Sequence, residues 1–223
     1  MLKVYTINLE HRADRWREAC ANYAAHGLEP RAVTRFPAVA EPQFGALGCA
    51  KSHVAVLADF LCRTGDAYCL VLEDDFDFVR PFGDCVQGFN RLAQQRAEWD
   101  VLLLMGTQAL AGPADEGGLA RVLEAQSAAA YLVSRRYAAR LLACFGAVVP
   151  QMEALSAPGL RPFAMSRLSI DQAWKPLQRQ DRWYIFHPAI GHQRPSYSDI
   201  EQRHVDYDTQ TYGLAAAGGP TPA

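Results

Sequence analysis

Lysine is scarce in this chain. Only Lys3, Lys51 and Lys175 stand against nineteen arginines in 223 residues. Arginine presents a planar fork that suits carboxylate and phosphate, although a compositional bias shared with the many alanines explains much of the total. The net charge of −2 leaves no basic surplus that would call for nucleic acid or an anionic membrane as the main partner. The six cysteines include no C-x-x-C pair and several sit in apolar runs. That excludes a sequence-evident zinc ribbon or disulfide framework and fits small buried hydrophobes in a reducing compartment. No apolar run approaches the roughly 18 residues of a membrane span. The N-terminal "MLKVYTINLEHR" lacks the apolar core and cleavage site of a secretory signal. A soluble cytoplasmic protein is expected, with peripheral contact at the inner membrane left open.

What is present is an alternation. "KVYTINL" is short, β-branched and aromatic, as a buried strand is. Residues 11 to 26 carry Trp16, Cys20 and Tyr23 at helical spacing before Gly27. "EPRAVTRFPAV" reads as a second strand. "FGALGCAKSHVAVLADFLCRTG" has Ala50, Val54, Leu57 and Leu61 on one stripe, as a helix requires. The strand "AYCLVL", a helix near 82 to 97 and the strand "WDVLLLMG" follow. Strand–helix alternation over a hundred residues predicts an α/β fold with a mostly parallel sheet and helices on both faces. Such sheets bind ligands at the carboxyl ends of their strands. The second half is less regular: two strands in "ARVLEAQSAAAYLVS", a helix over 134 to 146, a long loop over 147 to 168, a short helix from Ile170 to Gln180 and a strand "RWYIFHP". Residues 1–212 are expected to form one domain, and the small-residue tail 213–223 to be disordered.

Three groups of residues offer chemistry. In "CLVLEDDFDF" a buried strand runs into Glu73, Asp74, Asp75 and Asp77. Four acids in five positions repel one another unless a cation or hydrogen bonds compensate. Mg²⁺ and Mn²⁺ take oxygen ligands of this kind, and a solvated acidic turn is the bland alternative. In "INLEHRADR", Asn8 ends the first strand, and Arg12 and Arg15 lie one turn apart on the helix that follows. They suit either a phosphate or an ordinary exposed helix face. In "GALGCAKSH", Gly48 permits close backbone approach, while Ser52 and His53 enter early in a helix. The Walker spacing is absent, and His53 is equally a hydrogen-bonded core histidine.

Taken in order, "YTINLEHRADRW", "GALGCAKSHVAVL", "CLVLEDDFDF", "SAAAYLVSRRYAARLL", "SIDQAW" and "HPAIGHQRPSYSDI" resemble glycosyltransferase family 25, from about residue 2 to about residue 201. That family includes bacterial lipooligosaccharide galactosyltransferases and is similar to the galactosyltransferase domain of the procollagen enzymes. The resemblance implies a GT-A-like, Rossmann-type sheet with an irregular C-terminal half. It also implies a UDP-sugar donor, commonly UDP-galactose, with Mn²⁺ or Mg²⁺ and inversion at the anomeric carbon. Carried over, Ile7, Asn8, Leu9, Arg12 and Arg15 hold the nucleotide, and Gly48, Lys51, Ser52 and His53 line the donor pocket. Asp75 ligates the metal in a DXD-like motif, with Asp77 and His192 as further ligands. Glu73 and Asp74 face the ribose or a metal-bound water, and Tyr131 and Gln193 complete the donor side.

Inverting transfer needs a base for the acceptor hydroxyl. Asp171 is the first candidate, with a helix cap as its plain alternative, and Asp199 is the second. The acceptor is expected to be a glycan or a lipid-linked molecule, lipooligosaccharide in the family-typical case. A metal-dependent phosphate-ester hydrolase and a non-catalytic nucleotide-sugar-binding relative are the competing readings.

Overall fold

The strand β1 (Leu2–Asn8) is flanked in parallel by β2 (Val33–Pro37) and β3 (Tyr68–Glu73), and this trio anchors one half of a nine-stranded sheet. A computed structural model describes residues 1–95, 98–198, 203–205 and 215–216. After β3 come the short β4 (Phe76–Phe78), then β5 (Val101–Leu103), β6 (Thr107–Ala111), β7 (Leu119–Gln126), β8 (Ala130–Ser134) and β9 (Trp183–Phe186). Three further short strands follow, β10 (Gly191–Gln193), β11 (Ser196–Ser198) and β12 (Arg203–Val205), and β13 (Ala215–Ala216) is the last. The order in the large sheet is β13-β6-β7-β9-β5-β8-β3-β1-β2. Only β7 and β8 run against the others, so the sheet is mainly parallel.

Alternation along each strand divides two cores. Tyr5, Ile7, Val71, Val101, Leu103 and Val133 face one way, toward α2 (Gly45–Arg63) and α4 (Arg135–Ala154). Val4, Leu70, Leu72, Leu102 and Leu132 face the other, toward α1 (Ala13–Ala25) and α3 (Phe82–Gln95). Burial on both faces is why β3 and β8 read as unbroken apolar runs. Gly27, at φ +81°, ends α1 in the left-handed region that glycine enters without strain. Helix α2 is long and apolar enough to cross a membrane by length and composition, yet it lies against α4 and β1 in the core.

The stretch 147–168, expected to be a loop, is largely helical. α4 runs on to Ala154, and α5 (Arg161–Leu168) follows after a six-residue turn. Pro150 sits inside α4 on its exposed side, where a carbonyl that has lost its partner can be solvated. Buried Phe145, Val148 and Met152 hold the helix to the core across the proline. The single helix expected from Ile170 to Gln180 is two, α6 (Ile170–Ala173) and α7 (Lys175–Gln180), divided at buried Trp174 just before Pro176. Of the tail 213–223, only Ala215–Ala216 is described, paired with β6.

β4 and β10 form a separate antiparallel pair in which Gly191 lies opposite Phe78. A Cβ on Gly191 would overlap the Phe76 ring and stand 2.5 Å from the Asp77 carbonyl oxygen. Gly191→Ala is therefore expected to cost about 1–3 kcal/mol by overpacking. Urea unfolding measures it, and an unchanged midpoint would show that the pair is looser than described.

Candidate functional site

The site begins with a register. Ile7 lies opposite Glu73, so β1 and β3 end within a residue of each other, and Asn8, the last residue of β1, stands beside Asp74, the first after β3. Asn8 Nδ2 donates to Asp74 Oδ2 at 2.5 Å and to the Arg12 carbonyl at 3.1 Å, while Asn8 Oδ1 accepts from Arg35 Nε at 2.8 Å. Arg15, buried in the first turn of α1, spreads its fork over the acidic end. One nitrogen donates to Asp74 Oδ1 at 2.8 Å, the other to Asp75 Oδ2 at 3.3 Å and to Ser196 Oγ at 2.5 Å.

The carboxylates are not equivalent. Burial pushes Glu73 up, but hydrogen bonds from His53 Nε2 at 3.2 Å and Cys49 Sγ at 3.4 Å, with the charge of Arg15, hold it below the usual range. Burial raises Asp74 against the pull of Arg15 and Asn8. Asp75 is pushed up to about 7, by burial first and then by the charge of Glu73, with Arg15 and the Gln193 amide opposing. Its Oδ1 is buried and accepts no hydrogen bond among the described residues. Asp77 is taken up differently: Arg194 Nη1 donates to both its oxygens at 3.0 and 3.3 Å, and Arg194 Nη2 donates to the Asp74 carbonyl at 3.0 Å.

Asp171 joins this group from the far half of the chain. Burial raises it, and the charge of Glu73 adds to the rise. Its carboxylate accepts from its own backbone N–H at the start of α6 and, through Oδ2, from the Ser127 backbone N–H at 3.2 Å. Ser127 Oγ donates to Gln193 Oε1 at 2.8 Å. Ser127 sits at φ +73°, a left-handed conformation that a non-glycine residue enters at a cost. One strained serine thus connects the Asp171 carboxylate with the amide beside Asp75.

The structure puts the other residues singled out from the sequence in varied surroundings. Tyr131 is fully buried, stacked on His53 and within 3.0 Å of its Nδ1. Ser52 Oγ donates to the Gly48 carbonyl and accepts from the Val39 N–H, where Gly48 allows the two backbones to approach. Lys51 is paired with Glu41 and Glu153. Arg12 pairs with Asp14 and adds its charge near Asp74. Ile7 is in the core, and the Leu9 carbonyl accepts the Arg12 N–H. His192 lies opposite Asp77, and alternation along β10 puts it on the face away from Gln193. Asp199 lies outside the described residues. Sequence reasoning did not single out Ser127, Arg194 or Ser196. Arg194 alone offered a signal, as an arginine just after the glutamine already selected.

A hard divalent cation needs carboxylate oxygen that is charged yet not already spent on donors. Asp75 Oδ1 is not spent on a donor among the described residues, and loss of the carboxyl proton to an incoming cation would charge it, so the residues present fit such an ion. A cavity of about 320 Å³, lined by Val79, Gly106, Ile185, Phe186, Pro188 and His192 among others, lies near the ends of β5 and β9, which point the same way as β3.

No family model matches the chain, and no curated protein matches it. Among solved structures, mannose-1-phosphate geranyltransferase from Thermus thermophilus is similar at 11% identity and TM-score 0.48, over 82% of this chain and 72% of that one. A glycosyltransferase involved in the glycosylation of the major capsid of PBCV-1 is similar at 9% identity and TM-score 0.40, over 90% and 96%. Mouse xyloside xylosyltransferase 1 is similar at 9% identity and TM-score 0.39, over 83% and 85%. These likenesses are distant.

The raised Asp75 carboxyl has a consequence for stability. Its proton is held more tightly folded than unfolded, so its contribution is complete below about pH 4 and is lost as pH climbs toward about 7. In EDTA, Asp75→Asn should remove that loss, giving a higher melting temperature than wild type at pH 8 and little difference at pH 4. Parallel melting curves across this range would contradict the assignment.

Proposed function

We propose that the chain is a metal-dependent, inverting glycosyltransferase of the family 25 kind. It moves a hexose, galactose by preference, from a UDP-sugar to a hydroxyl of a glycan, lipooligosaccharide or similar acceptor. The observation that carries the reading is the buried Asp75 Oδ1, which accepts no hydrogen bond among the described residues, at the carboxyl edge of the sheet, beside an arginine fork and linked through Gln193 and Ser127 to the Asp171 carboxyl. The order of sequence motifs supplies the choice of family.

Asp75 would hold Mn²⁺ or Mg²⁺, and Gln193 lies beside it. When bound, the ion supplies positive charge for the leaving diphosphate. Asn8 and Arg15 fix the acidic turn so that Asp75 cannot swing away, and Arg12 stands at the same edge for the nucleotide. Asp171 takes the acceptor proton. The acceptor oxygen forms its bond to the anomeric carbon from the face opposite the leaving group, the bond from that carbon to the diphosphate oxygen breaks, and UDP departs with the electron pair. A carboxyl raised by burial is a stronger base than a solvated one, which suits this role. Ser127 orients Asp171 and Gln193 together. The cavity at the ends of β5 and β9 is the place for the acceptor, with His192 in its lining.

Calorimetry with UDP-galactose, UDP-glucose, UDP-N-acetylglucosamine, GDP-mannose and CMP-sialic acid, each with Mn²⁺ and with EDTA, tests the reading. One UDP-sugar should bind with Mn²⁺ and not with EDTA. Asp171→Asn should keep that binding while turnover falls by about 10²–10⁴-fold. A folded sample that binds none of the five would return the hydrolase and non-catalytic readings.

A further inference from the structure

We infer a second cation position, for a softer ion of the Zn²⁺ class, at Cys49, His53 and Glu73. Helix α2 presents Cys49 and His53 four residues apart, on the face that meets the end of β3. The donor atoms of the three side chains lie within 4.8 Å of one another. Tetrahedral Zn²⁺ with sulfur, nitrogen and oxygen ligands has donor atoms about 3.5 Å apart along each edge, from bond lengths of about 2.0–2.3 Å. Two edges already have nearly that length: Cys49 Sγ to Glu73 Oε1 at 3.4 Å and His53 Nε2 to Glu73 Oε1 at 3.2 Å.

The surroundings suit a metal ligand set. His53 is fully buried, and its other nitrogen is held at 3.0 Å by Tyr131 Oη, under a stacked ring. A metal-binding imidazole is usually fixed in this way through its second nitrogen. With the ion bound, Nδ1 carries the proton and donates to Tyr131 Oη, Nε2 is freed for the ion, and the Cys49 thiol gives its proton to solvent. Glu73 is about a fifth exposed, which leaves room for a fourth ligand from water. The charges of Asp75 and Asp171 also reach Cys49, so the field there favours a cation. This mixed set differs from the all-oxygen surroundings that hard Mg²⁺ and Mn²⁺ prefer at Asp75. The inference does not depend on the transferase reading.

The test is Co²⁺, whose thiolate complexes show a near-ultraviolet charge-transfer band. Wild-type protein should develop that band at one Co²⁺ per chain, and Zn²⁺ should abolish it by displacement. Cys49→Ser should lose the band and weaken Zn²⁺ binding at least about tenfold, whereas Asp75→Asn should keep it. In unmutated protein, Zn²⁺ should protect Cys49 from alkylation, mapped by peptide mass spectrometry, while exposed Cys62 still reacts. The inference is overturned by a folded wild type that shows no band and no protection of Cys49. A band that survives Cys49→Ser or vanishes in Asp75→Asn also overturns it. UDP-sugar binding is measured separately, so failure here leaves the donor reading standing.

Discussion

Repulsion among Glu73, Asp74, Asp75 and Asp77 governs the carboxyl edge of the sheet. Like charges this close cannot all remain ionised in a buried setting unless each finds compensation. Three of them do so from different parts of the chain: Glu73 from His53 and Cys49 on α2, Asp74 from Asn8 and Arg15, and Asp77 from Arg194 after β10. Asp75 is left with one arm of Arg15 at 3.3 Å on Oδ2 and the nearby Gln193 amide, and its buried Oδ1 accepts no hydrogen bond among the described residues. That remainder is what the proposed cation would relieve.

The sheet makes the arrangement possible. Parallel strands end at one edge, and the Ile7–Glu73 register sets the ends of β1 and β3 level. α2 and α1 pack on opposite faces, so His53 approaches the acidic end from one side and Arg15 from the other. The connection between β7 and β8 brings Ser127 to the same edge, and the chain after β9 brings Gln193 and Arg194. Residues nearly two hundred positions apart thus meet around one turn, as the bond from Arg15 to Ser196 shows.

Much of this was legible in the sequence. A short β-branched and aromatic run marked β1, and an unbroken apolar run ending in carboxylates marked β3, because burial on both faces removes polar residues from such strands. The charge density of "EDDFDF" marked the candidate site because uncompensated acids are costly. The helical course of 147–168 was not legible: Pro150 argues locally for a break, and the packing of Phe145, Val148 and Met152 overrides it. Ser127 was hidden as well, since a left-handed serine between two strands has no compositional signature. The family resemblance put Ser52 and Lys51 at the donor pocket, and their contacts to Gly48, Val39, Glu41 and Glu153 depend on neighbours that spacing alone does not reveal.

The central claim is that Asp75 is held ready for a divalent cation. Electron paramagnetic resonance of Mn²⁺ tests it most directly, because the signal of the free aqua ion falls as the ion binds. Titrated with UDP present, wild-type protein should remove one Mn²⁺ per chain from solution, and Asp75→Asn, folded by circular dichroism, should leave it free. Equal Mn²⁺ uptake by the two proteins would contradict the account.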